Sequence, residues 1–128
     1  MGVSTNAILA FGFDLGDLDN NLPEGLARMF DEYDNDEEAV LLDLYSTDTT
    51  PVEDINKVPV DLIRHCSRDN PMYFLAVRGT KQVALRGYPT AAVFGHVHDS
   101  EVKALRDFCT RHNIPWQEPK WCIFSYWG

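Results

Sequence analysis

At 128 residues, 45% of them hydrophobic and 24% charged, the chain has the length and balance of one soluble domain, taken as residues 1–128. No apolar run approaches the ~20 residues that a membrane helix needs. The net charge of −9 disfavours a direct grip on a nucleic-acid backbone.

The charge is divided along the chain. Residues 1–63 hold fifteen Asp and Glu against Arg28 and Lys57, whereas residues 64–128 hold five acids against nine Lys and Arg. The acidic half suits a solvated face, a cationic protein partner or mimicry of nucleic acid. Cys66, Cys109 and Cys122 show no CxxC spacing and fit reduced thiols in a cytoplasmic setting. Met1–Asn6 lacks a positive charge ahead of the first apolar run, so no secretory leader is expected.

In chain order, residues 6–13 read as a strand, with Gly12 marking a bulge or a close backbone approach. The turn-rich stretch Asp14–Pro23 ends it. A helix is predicted from Pro23, with Leu26, Met29, Phe30 and Tyr33 on one face. The acidic block Asp34–Glu38 caps a second helix, Glu37–Tyr45, unless both segments form one longer helix. Residues 46–51 are a loop, and residues 59–66 read as a short helix opened by Pro59.

Met72–Val77 is a strand, Arg78–Thr80 a turn, and Lys81–Arg86 its hairpin partner. Thr90–Phe94 is a short extended piece. The strongest helical pattern follows, capped by Asp99 or Ser100 and ended by Asn113 and Pro115, with Val102, Leu105, Phe108, Cys109 and His112 on its apolar face. The last strand is Lys120–Trp127. The fold class is α+β: a small, mostly antiparallel sheet of the two terminal strands and a hairpin, with helices on one face.

The sharpest chemical cluster is Gly95-His-Val-His-Asp99. His96 and His98 would share a face if extended, and Asp14 is a third candidate ligand for a divalent metal, with His65, Cys66 and His112 as alternatives. Two ligands alone do not make a site. Arg64, Arg68, Arg78 and Arg86 are candidate anion contacts, suited to a phosphorylated small molecule if they converge. EF-hand spacing, phosphate-binding glycine loops and a nucleophile elbow are absent, and His65 beside Cys66 is a weak case for a thiol enzyme. No cofactor is expected beyond such a metal.

Trp116, Trp121, Tyr126 and Trp127 are candidate partner-binding residues. Alternation sends Trp121, Ile123, Ser125 and Trp127 one way and Cys122, Phe124 and Tyr126 the other, so one set is left for a partner unless both faces are covered.

Two stretches carry a family resemblance. Ser4-Thr-Asn-Ala-Ile-Leu-Ala-Phe-Gly-Phe-Asp-Leu-Gly16 and Ser125-Tyr-Trp-Gly128 resemble the two ends of small uncharacterised proteins of actinobacterial phages and their hosts. The resemblance implies an origin and a host-cytoplasm setting, but no reaction. The leading expectation is a non-enzymatic phage accessory protein that binds a host or phage protein. A self-associating structural protein is the third reading.

Overall fold

The computed structural model describes residues 5–17, 24–34, 36–46 and 49–127. Along these residues run β1 (Thr5–Asp17), α1 (Glu24–Glu32), α2 (Glu37–Tyr45), β2 (Val60–Ser67), β3 (Pro71–Val77), β4 (Gln82–Ala84), α3 (Asp99–Arg111) and β5 (Lys120–Trp127). A single 3-10 turn, Ile55–Lys57, precedes β2. The fold is α+β with a mostly antiparallel sheet, in which only β2 and β5 run parallel.

β1 organises the sheet. One edge pairs with β5 from Thr5↔Trp127 to Gly12↔Lys120. The other edge pairs first with β4, at Ala7–Leu9, and then with β3, from Gly12↔Ala76 to Asp17↔Met72. At the changeover the Phe11 N–H would lack a strand partner. Thr80 Oγ1 accepts it at 3.1 Å and itself donates to the Val77 carbonyl at 2.8 Å. Gly79, at φ +91, makes the turn that brings Thr80 there.

Because β3 also pairs with β2 and β2 with β5, strands β1, β3, β2 and β5 close into a ring. Gly12 is bound on both sides, to Ala76 and to Lys120. A Cβ there would meet the Leu75 carbonyl and stand 2.7 Å from Ala76 Cα. The close approach read from Gly12 is therefore present, while the register shift lies further on, between Asp14 and Gly16.

Strand alternation divides the apolar residues into two clusters. Ile8, Ala10, Ile63, Phe74 and Ala76 fill one, with Cys122, Phe124 and Tyr126 packed against it; all four ring strands contribute. The Phe74 and Phe124 rings stack at 4.5 Å. The opposite parity, Phe13, Leu15, Val60, Leu62, Tyr73, Leu75 and Val77, joins Leu26, Phe30, Val40, Leu41, Leu105, Phe108 and Cys109 of the helices. Phe30 and Tyr73 are fully buried with ring centroids 4.4 Å apart. Burial of each such side chain contributes roughly 2 kcal/mol.

The helix ends follow from local chemistry. Asp36 caps α2 by accepting from the Ala39 N–H at 3.1 Å. His98 is the N-cap of α3, in place of the expected Asp99 or Ser100, and Glu101 accepts from its backbone N–H at 3.1 Å. Asn113, at φ +59, ends α3, and the Ile114 N–H reaches back to the Cys109 carbonyl at 2.9 Å.

Three expectations are corrected. Residues 59–66 are not a helix: β2 is a strand with both faces packed, so it lacks the wet–dry alternation that marks a strand in sequence. Lys81–Arg86 shortens to β4, which pairs with β1 rather than β3; the hairpin is β2–β3. β1 runs from Thr5 through Asp17 instead of ending at Phe13. Thr90–Phe94, read as a short extended piece, has neither helix nor strand. The two acidic-half helices are separate, and the predicted helix start at Asn21–Pro23 lies outside the described residues.

Candidate functional site

Asp14 and His65 project from β1 and β2 with the same parity as the ring interior. His65 Nε2 and Asp14 Oδ1 are 2.8 Å apart, and the imidazole packs on Phe124 at 4.9 Å between centroids. His65 is buried, whereas Asp14 is about half exposed. Burial would raise the Asp14 pKa, but the hydrogen bonds from His65 and the Gly16 backbone and the positive charge of His65 outweigh it and hold the carboxyl below its ordinary value.

The other candidate metal ligands lie elsewhere. His96 and His98 are exposed, with rings edge to face at 4.6 Å. His112 packs on Phe108 at 4.7 Å. Cys66 is exposed, at φ +72. Among the described residues no group of three His, Cys, Asp or Glu side chains is placed to hold a metal, so Asp14 does not join His96 and His98.

Two of the four candidate anion contacts share a cavity. Arg64 and Arg78 line a pocket of about 440 Å³ with Lys81 and the carboxylates Glu37, Glu38 and Asp61. Arg64 Nε stands 2.8 Å from Glu37 Oε1. Arg78 donates to the Val58 and Val60 carbonyls at 2.7 and 2.9 Å and lies 3.6 Å from Asp61. Burial raises the Asp61 pKa against the pull of Arg78 and Lys81. Arg68 and Arg86 do not line this pocket.

The aromatic candidates separate by environment. Trp116 packs edge-on against Phe13 at 5.7 Å beneath the Arg106 guanidinium, and Tyr126 packs against the interior cluster. Trp121 is wedged between Phe11 and Phe94, at 5.6 and 5.5 Å. Trp127 is 53% exposed.

Among the described residues the most exposed large apolar side chain is Ile123, at 77%, on the same face of β5 as Trp127. Close to it runs an arm, residues 85–97, without helix or strand and carrying exposed Leu85, Tyr88, Val93 and Phe94. The arm is fixed where the Gln82 amide both donates to the Val93 carbonyl and accepts from its N–H, at 2.6 and 2.8 Å. Ile123, Phe94, Leu9, Val83 and Ala84 border one apolar groove of about 200 Å³. Sequence reasoning singled out Trp116, Trp121, Tyr126 and Trp127, set Ile123 on the face of Trp121 and Trp127 without naming it as a contact, and missed the arm. The available signal was the lack of any Asp or Glu in residues 70–98 and 119–128.

No protein-family model, curated protein or solved structure matches the chain.

Proposed function

We propose that the chain is an accessory protein that acts by binding another protein, with the outer face of β5, the first half of β1, β4 and the arm 85–97 as its contact surface. The carrying observation is the gathering of exposed Ile123, Phe94, Val93, Tyr88, Leu85 and Trp127 on this side. Surface apolar side chains so grouped mark interaction sites more often than scattered ones do. In this reading α1, α2 and α3 pack on one face of the sheet, over β2, β3 and the far half of β1. Their shared cluster with Val60, Leu62, Tyr73 and Leu75 supports that arrangement. The resemblance of both chain ends to phage proteins supports a partner from the host or the phage, and the free thiols of Cys66, Cys109 and Cys122 accord with the host cytoplasm.

A second reading places a phosphorylated small molecule in the pocket of Arg64 and Arg78. Its three carboxylates oppose an anion there, and Arg78 already serves two carbonyls, so protein binding is preferred. The deciding experiment is affinity capture from host lysate with wild-type protein and Ile123→Asp at low and high salt. A partner held by wild type and lost by the variant is expected. Identical capture by both proteins would reject this surface.

A further inference from the structure

β2 and β3 pair antiparallel with Asp61 opposite Ala76, so Arg78, just past Ala76, stands diagonally across from Asp61 on the same face of the hairpin. The Arg78 backbone N–H donates to the Pro59 carbonyl at 3.1 Å and prolongs the pairing. Its guanidinium is held in place, because Nε and Nη2 donate to the Val58 and Val60 carbonyls. Nη1 is left without an acceptor among the described residues. Asp61 lies 3.6 Å from Nη2, beyond hydrogen-bond reach, and the two side chains are only 23% and 21% exposed. Burial dominates at Asp61: its pKa is raised, although the charges of Arg78 and Lys81 and the Leu62 N–H act to lower it. A carboxylate so placed gains from a further cationic donor, and Arg78 Nη1 gains from a further acceptor.

We propose that the pocket around Asp61 and Arg78 binds a free α-amino acid with an apolar side chain. Its volume of about 440 Å³ falls in the range of small-molecule sites. Asp61 takes the ammonium, while Arg78 Nη1 and Lys81 take the carboxylate. Lys81 is exposed and forms no hydrogen bond or salt bridge among the described residues. An α-amino acid carries both poles on one carbon, which matches the side-by-side placement of Asp61 and Arg78. Ile8 and Ile63 of the interior cluster, with Val83, border the same cavity and receive the apolar side chain.

The lining disfavours a ligand of one sign. Arg64, Arg78 and Lys81 stand with Glu37, Glu38 and Asp61, so a phosphate meets three carboxylates and a polyamine meets three cations. Arg64 and Glu37 already hold each other at 2.8 Å, and Glu38 is exposed. The charges left to orient a ligand are therefore Asp61 on one side and Arg78 with Lys81 on the other. Ile123, Phe94, Tyr88 and Leu85 do not line this cavity, so the site is separate from the protein-contact surface.

The test is calorimetric titration of the purified protein with leucine and five comparison compounds. Leucinamide lacks the carboxylate, isocaproate lacks the ammonium, ε-aminocaproate holds its poles far apart, serine lacks the apolar side chain, and inorganic phosphate is a plain anion. Leucine is expected to bind at least about tenfold tighter than each of these. Asp61→Asn and Lys81→Gln, with folding checked by circular dichroism, should each weaken leucine by about tenfold; Lys81 is exposed, so its variant tests the site even if Asp61→Asn fails to fold. Absence of leucine binding at millimolar concentration would overturn the proposal. Equal binding of leucinamide would make the pocket a cation site, and equal binding of isocaproate or phosphate an anion site. Equal binding of ε-aminocaproate would overturn the match to adjacent poles, and equal binding of serine the apolar side chain. Unchanged leucine affinity in either folded variant would place the ligand elsewhere.

Discussion

His65 and Asp14, 51 residues apart in sequence, tie β2 to β1 at 2.8 Å although these two strands share no backbone pairing. The bond is a side-chain strut across the ring, with the Phe124 ring against the imidazole. The Asp14 carboxyl is held below the ordinary 3.8, so its contribution to stability is full above about that pH and is lost as pH falls through the native value. Asp14→Asn should therefore cost about 1 kcal/mol at neutral pH, a modest figure because the carboxylate is half exposed. The gap between variant and wild type should close in acid. Urea denaturation across pH checks this; a gap independent of pH would exclude the strut as its source.

Gly12→Ala should destabilise the fold by at least about 2 kcal/mol, since the new methyl meets the backbone of Leu75 and Ala76, which cannot rotate aside. The same change at Gly25, whose Cβ would meet nothing within 4 Å, is the control and should be tolerated or mildly stabilising. Thermal melts of the two variants are the measurement.

Cys66 occupies a left-handed conformation, φ +72, while exposed. Relief of that strain by Cys66→Gly should raise stability by up to about 1 kcal/mol, whereas Cys66→Val should lower it. Equal melting temperatures for the two variants would show that the backbone there is not strained.

Thiol labelling should rank the cysteines. Cys66 is exposed, Cys122 intermediate and Cys109 buried, and burial pushes the Cys109 thiol up to about 11. Mass spectrometry after brief maleimide treatment should find Cys66 labelled first and Cys109 only after unfolding. Early modification of Cys109 would mean that α3 opens readily from the sheet.

Zinc should leave the melting temperature unchanged, because Asp14 is engaged by His65 and does not stand with His96 and His98. A zinc-dependent rise that His96→Ala abolishes would restore the two histidines as ligands.

The sequence carried more of the helices than of the sheet. α2 and β5 fall on the predicted residues because each has local punctuation: Asp36 before one and Pro119 before the other. β2 was hidden because its two faces are both buried, and an opening Pro59 mimicked a helix start. The pairing of β4 with β1 depends on contacts across more than seventy residues, where only the neighbouring strand β3 was suggested by sequence. Asp14 and His65 were both noted as candidate ligands, yet nothing local to either reveals the other.

The pairing of Thr5–Gly12 with Lys120–Trp127 also sets a timetable. β1 is synthesised long before β5, and its β5 edge has no partner until β5 has been made. The ring must close through contacts of the highest sequence separation, a topology that folds slowly. Meanwhile Ile8, Leu9 and Ala10 present an unpaired apolar edge, and this nascent strand is where premature association during translation would start.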